Sequence, residues 1–79
     1  MIGKQFTYEE IKGLAGDDRV IYSNNKPGDN AIICEATVKG VASNNIILEL
    51  DDRNMADGPI ITATAAIAHW ENLFHFESE

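Results

Sequence analysis

Two stretches of period-two alternation, residues 31 to 41 and 45 to 51, constrain this chain more than any other feature of its sequence. In the first, Ile32, Cys34, Ala36 and Val38 fall on one side of an extended backbone, and Ile33, Glu35, Thr37 and Lys39 on the other. In the second, Ile46, Leu48 and Leu50 oppose Ile47, Glu49 and Asp51. A polar turn at Ser43 and Asn44 joins them, so the pattern predicts a β-hairpin with one apolar face. A slip of one residue would turn every apolar side chain outward, so the register is firmly specified. A chain of 79 residues has material for one such core and not two, and its 44% apolar content suits a folded domain.

Around this hairpin the remaining elements are short. Thr7 and Glu10 have capping-box spacing, and Phe6 and Ile11 that of a hydrophobic staple, predicting a helix over 7–14 that ends at Gly13 and Gly16. Arg19 to Ser23 is a β-rich run, followed by Lys26-Pro27-Gly28-Asp29, which has the residues of a type II turn. After the polar loop 52–58, Pro59 to Ala65 is dense in Ile and Thr and predicts a fourth strand. Residues 66–71 suit one helical turn, with a helix over 66–74 as the rival reading; Leu73 to Phe76 suits a closing strand, and 77–79 a solvated tail.

In element order alone, this arrangement resembles the SH3-like and Sm-like small barrels. The resemblance implies a mainly β domain: a five-stranded antiparallel barrel with a short N-terminal helix, spanning 19–76. An open antiparallel sheet packed on the helix satisfies the same order.

The residues give little support to catalysis or metal binding. His69, His75 and Cys34 lack the spacing of a zinc site, and Cys34 lies on the presumed core face, where a thiol is unreactive. The loop from Asp52 fails as a calcium loop, with Asp57 where Gly is needed and Ala63 where a bidentate Glu belongs. Neither a Gly-x-Ser-x-Gly elbow nor a Walker phosphate loop occurs. The expectation is therefore a non-enzyme without cofactor or metal. A lone cysteine and an N-terminus without an apolar h-region point to a cytoplasmic setting, without membrane attachment.

Charge carries the functional expectation. Thirteen acidic residues against six Lys and Arg give a net charge of −7, which disfavours direct binding to nucleic acid. Glu35 and Glu49 face outward on the hairpin, Asp51, Asp52 and Asp57 cluster at its end, and Asp17, Asp18 and Asp29 flank the first strand. Brought together, they would form an acidic rim fit for a basic groove on another protein. The leading reading is an interaction module, such as a phage or mobile-element inhibitor of the anti-CRISPR or other anti-defence type that imitates nucleic-acid charge. The alternative is an oligomeric binder of a nucleotide or other small molecule, with Trp70 or Tyr22 stacking on it; a third is a self-assembling structural subunit. The doubled isoleucines at 32–33, 46–47 and 60–61 leave Ile33, Ile47 and Ile60 as candidates for a homodimer interface.

Overall fold

Six antiparallel strands build a single sheet in a computed structural model that describes residues 2–77. They are β1 (Ile2–Gln5), β2 (Arg19–Ser23), β3 (Ile33–Ala42), β4 (Asn45–Leu50), β5 (Ala65–Ala68) and β6 (Leu73–Phe76). Their order across the sheet is β1-β6-β2-β3-β4-β5. The expected order of strand, hairpin, strand, helical turn and strand is present from β2 onward, with β1 as an addition. The sheet is not closed: β6 pairs with β1 and β2, β5 pairs with β4, and among the described residues no ladder joins β5 to β1.

The β3–β4 hairpin carries the predicted faces. Cys34, Ala36, Val38, Ile46 and Leu48 are all fully buried, whereas Lys39, Ile47 and Glu49 are exposed. A bulge between Val38 and Gly40 shifts the register, after which Gly40 opposes Ile47 and Val41 opposes Ile46. Ser43 makes the turn with a left-handed φ of 48°.

Phe6, Ile11, Val20, Ala68 and Leu73 join the buried hairpin residues in the core, with Leu14, Tyr22, Leu50 and Trp70 packed against its margin. Thus Phe6 and Ile11 cover apolar surface that strand closure would cover in a barrel. The helix that supplies Ile11, α1, is shorter than predicted, at Tyr8–Ile11. Its capping box is formed: the Glu10 amide donates to Thr7 Oγ1 (3.2 Å) and the Thr7 amide to Glu10 Oε1 (2.9 Å). Beyond Ile11 the chain tightens into i→i+3 bonds, Gly13 N to Glu10 O and Leu14 N to Ile11 O, each 3.1 Å, and the helix stops.

Two further expectations are corrected. The strand read at 59–65 lies at Ala65–Ala68, because Asp51–Pro59 is taken up in a loop anchored on β3 and the ladder to β4 begins at Ala65. The helical turn read at 66–71 is a 3₁₀ turn over Trp70–Asn72, and the rival helix over 66–74 is absent. At Lys26–Asp29, Gly28 adopts a φ of +60°, as a type II turn requires, but the chain continues into a 3₁₀ turn, Gly28–Asn30. Of the expected tail, residues 78 and 79 lie outside the described residues.

Candidate functional site

The outer face of β2, β3 and β4 carries the predicted acidic residues in two cross-strand rows. Arg19, Thr37 and Glu49 lie side by side in one row, and Ile21 and Glu35 are paired in the next, where the Asp51 amide donates to the Glu35 carbonyl (2.9 Å). Period two fixes this, since residues two apart on a strand share a face. Arg19 clamps the rows together. Its guanidinium donates to Asp51 through both terminal nitrogens (3.2 and 2.8 Å), to Glu35 (3.1 Å) and to the Thr37 hydroxyl (2.7 Å).

These hydrogen bonds hold the Asp51 carboxyl below its usual range and, chiefly through Asp51, push the guanidinium further into its charged form. The three side chains remain 41–45% exposed. Half-exposed pairs contribute roughly 0.2–1 kcal/mol each, so the clamp fixes carboxylate positions more than it stabilises the fold.

The next loop is held as firmly. Asn54 Oδ1 accepts from the amides of Ile33 and Ala56 (both 3.0 Å), while Asn54 Nδ2 donates to the carbonyls of Ala31 (3.0 Å) and Pro59 (2.8 Å). The Met55 amide adds a bond to Ile33 O at 2.7 Å, and Gly58 lies so close to the Ala31 carbonyl that a Cβ would collide with it. Asp52 and Asp57 are exposed on this loop, and Arg53 meets Glu35, Asp51 and Met55 around a hollow of about 50 Å³. The outer face therefore presents Glu35, Glu49 and Asp51 with Arg19 and, farther along β3, Lys39, while the adjoining loop exposes Asp52 and Asp57 beside Arg53: five carboxylates to three cations.

Asp17 and Asp18 are placed elsewhere, at the level of Val38. There Asp17 N donates to Val38 O, Val38 N donates to Asp18 O, and Asp17 faces Lys39 at 3.8 Å. Asp18 accepts from the Ala15 amide (2.9 Å) and serves its own loop. Asp29 lies in the Gly28–Asn30 turn.

The two stacking candidates are separated. Tyr22 is half-buried beside an apolar groove of about 340 Å³, together with Ile32, Leu50, Ile60 and Ile61, and burial raises its phenol pKa. Trp70 packs against the core instead. The interface candidates are also dispersed. Ile33 is half-buried opposite Ser23, Ile47 is exposed opposite Gly40 near the far end of β3, and Ile60 is 85% exposed outside any strand.

Sequence reasoning missed Ile67, 73% exposed on β5 directly opposite Ile47, because residues 66–71 read as a helical turn. It also missed Arg19 as the organiser of the acidic face, and Asn54. Cys34 is fully buried, and burial pushes its thiol up to about 11. Among the described residues, no three His, Cys, Asp or Glu side chains are grouped to hold a metal ion, and no helix is long and apolar enough to cross a membrane. The chain matches no protein family, no curated protein and no solved structure.

Proposed function

We propose that this protein is a non-enzymatic interaction module that docks its acidic outer face on a basic, nucleic-acid-binding surface of a partner protein. The observation that carries this reading is the excess of carboxylates on this face and the loop beside it. Glu35 and Asp51 are locked by Arg19, and Asp52 and Asp57 ride on a loop whose backbone is stapled by Asn54, so two carboxylates and the loop bearing two more are positioned before a partner arrives. Preordered charge lowers the entropy lost on docking and accelerates encounter with a basic surface. Inhibitors of the anti-CRISPR or other anti-defence type, acting by imitation of nucleic-acid charge in the cytoplasm, fit this description.

The sheet is compatible with an opened form of an SH3-like or Sm-like barrel, since β2 to β5 run as a meander and β6 returns through a 3₁₀ turn to β2.

The test compares proteins captured from lysate by the wild type and by Glu49→Gln/Asp52→Asn/Asp57→Asn, which removes three charges and leaves the Arg19 clamp intact. A basic protein held by the wild type and lost by the variant at equal fold stability supports the proposal; identical capture refutes it. A second reading rests on the groove beside Tyr22, whose size and apolar lining would admit a small planar ligand. A thermal shift with nucleotides that Tyr22→Ala abolishes would favour it.

A further inference from the structure

The two edges of the sheet are treated differently. An edge strand offers unpaired amides and carbonyls to any other strand, and proteins guard such edges with charge, proline or bulges. Edge β1 carries Lys4, exposed, and a register irregularity between Ile2 and Gln5. Edge β5, Ala65-Ala66-Ile67-Ala68, has no charge, no proline and an unbroken ladder to β4.

Since Thr64 O accepts from the Leu50 amide, the strand alternation turns residues 64, 66 and 68 toward β4. The amides and carbonyls of Ala65 and Ile67 therefore face outward. On the outer face beside them Ile47 and Ile67 stand directly opposite one another, two of the eight large apolar side chains exposed among the described residues, with Ile67 73% exposed.

We infer that β5 pairs with β5 of a second copy of this chain, antiparallel about a two-fold axis at Ala66. Ala65 of each copy then exchanges both backbone bonds with Ile67 of the other. Charge selects the occupant. The chain carries −7, yet residues 59–70 contain no Asp, Glu, Lys or Arg, so this is surface on which two acidic copies can approach. In that pairing each outer row reads Glu49, Ala65, then the second copy's Ile67 and Ile47.

The two Glu49 carboxylates end up three strand spacings and two residues apart, about 16 Å, at ~4.8 Å per strand and ~3.4 Å per residue. That exceeds the Debye length of about 8 Å at physiological salt, so their repulsion is largely screened. The extent also suffices. A standard interface removes about 800 Å² from each partner, roughly a sixth of this chain's 5150 Å². Eight of the twelve residues in 59–70 are exposed, and Ile47 adds to them. A two-fold contact uses the same patch twice and closes, consuming the unguarded edge rather than propagating a filament. Of the acidic face only Glu49 borders this contact; Glu35, Asp51 and the 52–58 loop play no part in it, and changes at Ile67 or Ile47 leave all of these carboxylates in place, so the two proposals are tested separately.

Light scattering and amide hydrogen exchange on the full chain, at tens of micromolar and after hundredfold dilution, test the pairing. The wild type is expected to be a dimer whose Ala65 and Ile67 amides are protected and lose that protection on dilution. Ile67→Lys, a change at an exposed position, is expected to give a folded monomer with the same circular dichroism. A second variant, Ile47→Lys, should weaken the dimer without changing any residue of β5. A monomeric wild type, open-ended oligomers, or a dimer that survives Ile67→Lys with both amides exchanging freely would overturn the inference.

Discussion

Replacing Asn54 by Ala tests whether the loop bearing Asp52 and Asp57 is built by one side chain. Four backbone groups lose a partner: the amides of Ile33 and Ala56 and the carbonyls of Ala31 and Pro59. Each hydrogen bond contributes about 0.5–1.5 kcal/mol net, and a group left buried without a partner costs more. Ala31 and Ile33 are half-buried and recover water poorly, whereas exposed Pro59 recovers it readily. The sum is a loss of about 2–3 kcal/mol, a large share of the roughly 4–12 kcal/mol expected for a domain of this length.

With a urea slope of about 1 kcal/mol per molar, the unfolding midpoint should fall by about 2–3 M. Asn54→Asp keeps the two acceptor bonds but turns a carboxylate oxygen toward the Ala31 and Pro59 carbonyls, so it should lose at least half as much. Partner capture should weaken in Asn54→Ala although no charge has changed, because the loop's acidic groups are no longer held. A midpoint shift below about 0.5 M would refute the reasoning, since it would mean that these bonds are replaced by water at little cost.

Cys34, fully buried with its thiol pushed up to about 11, should react with a thiol reagent in the native state orders of magnitude more slowly than in denaturant. Its raised pKa also contributes stability that is present below the unfolded thiol's pKa and lost as pH rises through about 11, so Cys34→Ala should flatten the alkaline limb of the stability profile. On the acid side, the amide of Thr7 and, secondarily, His75 hold the Glu10 carboxyl below its ordinary value, and Arg19 does the same for Asp51. Depressed carboxyls stabilise above their unfolded pKa and lose that contribution as pH falls through the folded one. The melting temperature should therefore fall from about pH 5 downward, less steeply in Glu10→Gln, which keeps a capping acceptor. Gly58→Ala should destabilise the fold by about 1–3 kcal/mol in urea unfolding, because the new methyl meets the Ala31 carbonyl.

What the sequence disclosed and what it hid divide along the range of the interactions. The hairpin faces and the Thr7–Glu10 box were readable because each depends on neighbours within a few residues. Strand β1 was not, since Ile2-Gly3-Lys4-Gln5 has no alternation and exists through its pairing with β6, some seventy residues away. Propensity misplaced β5: the Ile- and Thr-rich 60–64 stretch looks more strand-like than Ala-Ala-Ile-Ala, but the ladder to β4 forms where the stapled loop returns the chain. The outward carboxylates of Glu35, Glu49 and Asp51 followed from period two. Their clamp did not, because Arg19 reaches partners 16, 18 and 32 residues away. For the same reason the isoleucine doublets gave alternation but not alignment, and Ile47 faces Ile67 rather than Ile33 or Ile60.

The most direct measurement of the acidic-face proposal is the association rate of the captured partner with immobilised wild type and with Glu49→Gln/Asp52→Asn/Asp57→Asn at two ionic strengths. Docking through ordered carboxylates predicts an association rate that falls steeply with salt in the wild type and is both slower and less salt-sensitive in the variant, with dissociation changing less. Association rates that are equal in the two proteins and indifferent to salt would contradict it.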